Sequence, residues 1–172
     1  MDLTHIHLML NHVPVIGVGF GILILFLGVA VRSKSVTRVG LGLLVLSAIV
    51  AIPVYLTGDS AEEIVEKLPG FSESITGEHE SAAGLSLGLA IFSGLLALAA
   101  LLFTRWRKAK VSGYLTIATL LVSLVTGTSM IRTANLGGQI RHTEIRAGAQ
   151  NTDPKAEGST AVKDKSEKND DD

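Results

Sequence analysis

"VPVIGVGFGILILFLGVAV", residues 13–31, contains no charged residue and a single proline near its start. A helix rises about 1.5 Å per residue, so about 20 apolar residues cross the ~30 Å hydrocarbon core of a bilayer. A helix in lipid also satisfies its own backbone hydrogen bonds, which an open strand cannot do. The stretch therefore predicts a transmembrane helix.

Three further stretches of the same kind follow, at residues 39–56, 82–103 and 111–131. Hydrophobic residues make up 47% of the chain and charged residues 18%, with the charges confined to the segments between the apolar stretches. Short connections make consecutive helices antiparallel neighbours. We therefore predict an all-α protein, a four-helix transmembrane bundle of up-down-up-down topology within residues 1–146. Residues 147–172 are polar and charged and predict a disordered tail.

The charges between the spans differ in sign. Basic residues, without any acid, occupy the connections after spans 1 and 3: Arg32, Lys34, Arg38, Arg105, Arg107, Lys108 and Lys110. The connection after span 2 is acidic. The positive-inside rule predicts a bacterial inner-membrane protein with cytoplasmic basic connections and with both termini extracytoplasmic. Within the acidic connection, Ser60 and Glu63 form a capping-box pattern that predicts a short amphipathic surface helix, which ends at Pro69-Gly70.

All five histidines, His5, His7, His12, His79 and His142, fall at the predicted outer ends of the spans. The chain has no cysteine, so histidine is its strongest metal ligand. Imidazoles from two helices are a usual way to hold a b-type haem. His7 and His12 point about 140° apart on a regular helix, which argues against one shared centre.

We predict His12, at the outer edge of the core, and His79 as axial haem ligands, with His7 and His142 as ligands of a second site. The cofactor would be one haem b, or two. Four polar residues near the outer boundary could serve the haem propionates or neighbouring groups: Asn11, Arg132, Asn135 and Arg141. The Gly137-Gly138 pair could end the fourth helix there.

Other functions remain open at this point. A histidine site could instead hold copper or zinc. The chain could also be a structural or assembly subunit without a cofactor, whose acidic outer segment docks a partner. No enzyme motif is present, and no ionisable residue lies mid-span, which disfavours coupled transport. An electron-transfer subunit would work with a membrane redox partner or quinone and an extracytoplasmic acceptor protein; nucleic acid is not expected.

The segment "HLMLNHVP", residues 7–14, has the spacing H-x4-H-x-P. It resembles the H-P-x-L-V-H-F-P opening of a family of four-helix bacterial inner-membrane domains of unknown function, for many members of which b-type haem binding is suspected. Thr57-Gly58, His79 and "LGGQI" at residues 136–140 fall where that family has similar features. The resemblance covers residues 5 to about 142 and implies His7, His12 and His79 as functional positions. The chain lacks the family's proline after the first histidine.

Overall fold

The computed structural model describes residues 2–106 and 108–146, so the predicted disordered tail lies outside the described residues. Six α-helices and one short 3-10 turn make up the described part of the chain. They are α1 (Leu3–Leu10), α2 (His12–Ala30), α3 (Lys34–Leu56), α4 (Gly58–Val65), α5 (Glu73–Arg105) and α6 (Ala109–Arg141), followed by the turn Thr143–Ile145. The all-α prediction is confirmed.

Four long apolar segments are able to span a membrane: Leu3–Ala30, Lys34–Leu56, Glu73–Thr104 and Ala109–Arg141. Helix α3 packs against α2 and α5, while α6 packs against α5 and α2, so α2 and α5 lie on a diagonal of the bundle. Large apolar side chains such as Phe20, Phe26 and Leu121 point outward and are more than half exposed. The predicted four-helix transmembrane bundle is therefore confirmed, with apolar sides suited to lipid.

The two ends of this bundle differ. We call the end formed by the α2–α3 and α5–α6 connections the basic end. The opposite end, formed by α1, α4, the start of α5 and the end of α6, is called the acidic end.

The first span is divided at Asn11, which separates α1 from α2. Asn11 keeps helical backbone angles, but Pro14 has no N–H to donate to the carbonyl of Leu10, so the helical hydrogen-bond pattern is interrupted at this point. Helix α1 contacts α4 and the end of α3. Thr4 fixes this contact, because its Oγ1 donates to the backbone carbonyl of Ser60 at 2.8 Å.

The predicted amphipathic helix of the acidic connection is present as α4. It begins at Gly58 after Thr57, and no side chain caps it. Ser60 therefore lies inside the helix, and the predicted capping box there is wrong. The helix can start earlier because Thr57 ends α3 and leads directly into α4, without an intervening loop.

Helices α2 and α3 approach each other closely through glycines on both. A methyl group on Gly40 would lie 2.5 Å from the backbone nitrogen of Leu25, and one on Gly28 would lie 2.5 Å from that of Thr37. Backbones come this close only where side chains are missing, which is the usual basis of helix association in lipid.

Hydroxyl groups hold α5 against α6. Ser93 and Ser123 share a hydrogen bond of 2.7 Å, and Ser86 bonds both Ser129 at 2.7 Å and Thr133 at 2.9 Å. Helix α6 then continues to Arg141, so the prediction that it ends at Gly137-Gly138 is wrong. The helix continues because Gly137 lies against the side chain of His79, and this packing contact stabilises the helix at that position.

Candidate functional site

All five histidines lie at the acidic end of the bundle, as their spacing along the chain predicts. They are nevertheless in different environments. His7 and His79 are half-buried between helices, whereas His5, His12 and His142 are exposed. Only the first two are held by contacts with a neighbouring helix, and these two define the candidate site.

His7 lies on α1 and packs on the end of α3. Its Nδ1 is 3.0 Å from the backbone carbonyl oxygen of Val54 and 3.4 Å from Oγ1 of Thr57. Gly58 lies beside the ring, where a methyl group would be 3.9 Å from Cε1 of His7. The ring position follows from the packing of α1 against α3 and α4.

His79 lies in the second turn of α5 and packs on α6. Its Nδ1 is 3.0 Å from the backbone carbonyl oxygen of Thr133. A methyl group on Gly137 would lie only 3.0 Å from Cε1 of the ring, so α6 has glycine where the imidazole needs the space. The side chain of Thr133 bonds Ser86 on α5, which fixes the two helices on either side of the ring.

The two histidines repeat one arrangement. In each pair of consecutive spans, a histidine near the start of the first span has its Nδ1 within hydrogen-bond distance of a backbone carbonyl near the acidic end of the second span. A carbonyl oxygen only accepts hydrogen bonds, so each ring, in its neutral form, carries its proton on Nδ1 and keeps a lone pair on Nε2.

His12 was predicted to pair with His79; no contact between the two rings is present among the described residues, and the pairing stays a prediction. His12 begins α2, diagonally opposite α5, and its exposed ring interacts with the side chain of the preceding Asn11. The distances of His7 and His79 from the basic ends of their spans already place them at one level. The packing of α1 against α3 and α4 leaves His7 half-buried, whereas His12 is exposed.

The remaining predicted residues lie at the surface. His142 follows α6, and its Nδ1 contacts Oε1 of Glu144 at 2.8 Å, so the structure shows no pairing of His142 with His7. Arg132 is exposed and lines an open groove along the first turns of α5, beside Glu73 and Glu78. Asn135 and Arg141 are also exposed.

Three contributions to the site were not predicted from the sequence. Two are the backbone carbonyls of Val54 and Thr133, which no residue type can signal. The third is Arg146, whose guanidinium donates to the carbonyls of Gln139 and Ile140 at 2.8 and 3.1 Å and stabilises the end of α6. The glycines were a usable signal, because Gly58 and Gly137 are the residues next to the two rings.

Within residues 2–106 and 108–146, no three His, Asp or Glu side chains come together as a metal-binding group. A zinc or copper site built wholly from protein ligands commonly uses three or four of them. A haem brings four nitrogen ligands of its own and takes two from the protein.

Helix α4 carries a pH-dependent group close to this site. Burial is the main cause that raises the pKa of Glu62, and the carboxylates of Glu80, Glu66 and Asp59 raise it further. The folded arrangement thus favours protonated Glu62. We expect α4 to pack more firmly as the pH falls through this raised pKa toward the ordinary carboxyl pKa, and to lose that gain as the pH rises back through the raised pKa.

Amide hydrogen exchange of α4, corrected for the intrinsic exchange rates, measures how firmly the helix is packed. It is compared between pH 7 and pH 4.5, the ordinary carboxyl pKa. Glu62→Gln should remove the pH dependence, while Glu63→Gln, at an exposed neighbouring position, should retain it. An equal pH dependence in Glu62→Gln and the unchanged protein would contradict the assignment.

No family model, curated protein or solved structure matches this chain.

Proposed function

We propose that this protein is a membrane-embedded electron-transfer subunit that binds a b-type haem through His7 and His79 at its acidic end. The observation that carries the proposal is the shared hydrogen-bond pattern of the two half-buried rings. Each uses Nδ1 on a backbone carbonyl and leaves Nε2 without a hydrogen-bond partner among the described residues.

This pattern suits axial ligation. Metal-bound histidines commonly donate their second ring N–H to a carbonyl or carboxylate, which fixes the tautomer and the ring orientation. Here the carbonyls of Val54 and Thr133 take that role, from two different helices. Neutral imidazole is the ligating form, and the hydrogen bond to a carbonyl fixes the tautomer of that form, with the lone pair on Nε2.

Small residues around the rings let the imidazoles lie directly against neighbouring helices. Gly58 and Gly137 lie against the imidazoles. Further along α5, a methyl group on Gly84 would lie 3.6 Å from the hydroxyl of Tyr55. This packing helps to fix the orientation of the two rings proposed as ligands. Arg132, at the same end of the bundle, is a cation suited to a propionate.

A bound haem would accept and release one electron without any proton donor or nucleophile from the protein. That role agrees with a chain that carries no hydrolytic or transfer motif. If the positive-inside rule holds for this chain, the site lies on the extracytoplasmic side of a bacterial inner membrane. Electrons would then pass between a quinone or membrane redox partner and an extracytoplasmic acceptor protein. The resemblance of residues 5–142 to the four-helix domain family agrees with this assignment.

A reduced-minus-oxidised absorption spectrum of the purified protein tests the proposal. We expect the α-band of a low-spin b-type haem, with haem extractable in acid because the chain has no cysteine to attach it covalently. Elemental analysis of the same sample reports iron, copper and zinc. Copper or zinc without haem would replace the proposal with a non-haem site. Neither haem nor metal would favour a structural or assembly subunit.

A further inference from the structure

The basic end of the bundle contains an open groove that the haem proposal does not use. Its volume is about 880 Å3, and it runs from the α2–α3 connection to the first turns of α6. Four basic side chains from the two sides of the groove line it: Arg32, Lys34, Arg38 and Lys110. We propose that this groove binds the phosphodiester headgroup of an anionic phospholipid.

The charges of the groove have no counterpart in the surrounding protein. The sequence has no Asp or Glu between residues 31 and 58 or between residues 81 and 143. Among residues 2–106 and 108–146, the one ion pair is His142 with Glu144, at the opposite end of the bundle. Four cations that share one groove without a carboxylate repel one another, so a bound anion would relieve the repulsion.

Backbone groups add to the positive potential. Helices α3 and α6 both begin at this groove, at Lys34 and Ala109. The first N–H groups of a helix have no partner within it and favour an anion nearby. The hydroxyls of Thr37 and Ser112 donate to the backbone carbonyls of Ser33 and Ala100, and Oγ of Ser33 already accepts from the N–H of Val36 at 3.4 Å. The main donors for the ligand are therefore the cations and the remaining first N–H groups of the two helices.

The groove lies at the depth of lipid headgroups. Trp106 is 60% exposed at the same end of the bundle, and Tyr114, which lines the groove, is 78% exposed. Such aromatic side chains are typical of the membrane–water interface. Toward the membrane core the lining becomes apolar, with Val29, Leu41 and Ile117. A phospholipid, with charge at one end and acyl chains at the other, matches this gradient, whereas free phosphate matches its outer part alone.

Arg32 provides an independent indication. It is the one non-glycine residue of the described chain with a positive φ, 54°. Residues at helix C-termini adopt this conformation easily only as glycine or asparagine. An arginine kept at such a position costs stability, which a ligand contact would offset.

The test compares lipids added to the detergent-purified protein, with native mass spectrometry and thermal stability as readouts. We expect dioleoyl-phosphatidylglycerol to bind and to raise the melting temperature. Dioleoyl-phosphatidylcholine should do neither, because its headgroup is zwitterionic, and inorganic phosphate at the same concentration should have no effect. An equal shift with phosphate would assign the groove to free anions and overturn the proposal, and so would equal binding of the two lipids.

Variants locate the binding. Arg38→Gln and Lys110→Gln should each weaken phosphatidylglycerol binding about 5-fold, the effect of one charge near a lipid surface. Lys67→Gln, which removes one positive charge at the acidic end, is the matched control and should bind as the unchanged protein does. Arg32→Gly removes a charge and the backbone strain together, so it should bind lipid less while the lipid-free protein becomes no less stable. Unchanged binding in all three groove variants would overturn the assignment.

Discussion

Replacement of either half-buried histidine is expected to abolish haem binding, while replacement of His12 leaves it intact. His7→Ala and His79→Ala each remove one of the two Nε2 atoms proposed as axial ligands. His12→Ala changes an exposed ring whose contact is the neighbouring Asn11. Haem content per chain, measured from the absorption spectrum after purification, gives the result.

Alanine alone would leave a structural explanation open, because each variant also loses a hydrogen bond worth about 0.5–1.5 kcal/mol. His79→Asn resolves this. The asparagine amide can still donate to the carbonyl of Thr133 from nearly the position of Nδ1, but it has no group in place of Nε2. We expect His79→Asn to fold with the thermal stability of the unchanged apoprotein and to bind no haem. Full haem content in His79→Asn, or a loss in His12→Ala as large as that in His7→Ala, would contradict the assignment of ligands.

The second large effect is expected where α2 and α3 meet. In Gly40→Ala the new methyl group would lie 2.5 Å from the backbone nitrogen of Leu25 and 2.7 Å from its Cα. Backbone atoms cannot turn aside as a flexible side chain does, so the helices must separate. Overpacking of this kind costs about 1–3 kcal/mol, which should appear as a lower melting temperature in detergent.

Gly42→Ala is the matched control on the same helix. A methyl group there meets nothing within 4 Å. The higher helix propensity of alanine should leave the protein as stable as before, or more stable by up to about 1 kcal/mol. Equal melting temperatures for the two variants would show that α2 and α3 are not packed as closely as described.

Much of the fold could be predicted because a bilayer restricts the chain strongly. Apolar stretches long enough to cross it must be helices, and the short connections between them leave few arrangements. The helix ends were harder to predict. Residues 73–81 and 132–141 are polar, so they fall outside the apolar stretches, yet they continue α5 and α6 as helix. Hydroxyl bonds and the His79 ring between the two helices supply contacts that hydropathy does not measure.

The candidate site was predicted in part. The position of every histidine at one end follows from its distance along the chain to the basic connections. Which of the histidines are half-buried does not follow from those distances. The angular argument assumed a regular helix through residues 5–14 and took no account of neighbouring helices. His7 is half-buried against the end of α3 while His12 is exposed, and this difference depends on how α1 packs against α3 and α4.

The sequence by itself determined that this protein is a bundle of four membrane-spanning helices with one basic and one acidic end. Hydropathy and charge are properties of each segment by itself, so they predict the structure of a segment without knowledge of the others. The tertiary structure alone decided which imidazoles meet a backbone carbonyl, which glycines contact another helix and which four cations share a groove. Those features depend on the relative rotation and tilt of helices, and these are set by contacts between residues far apart in the chain.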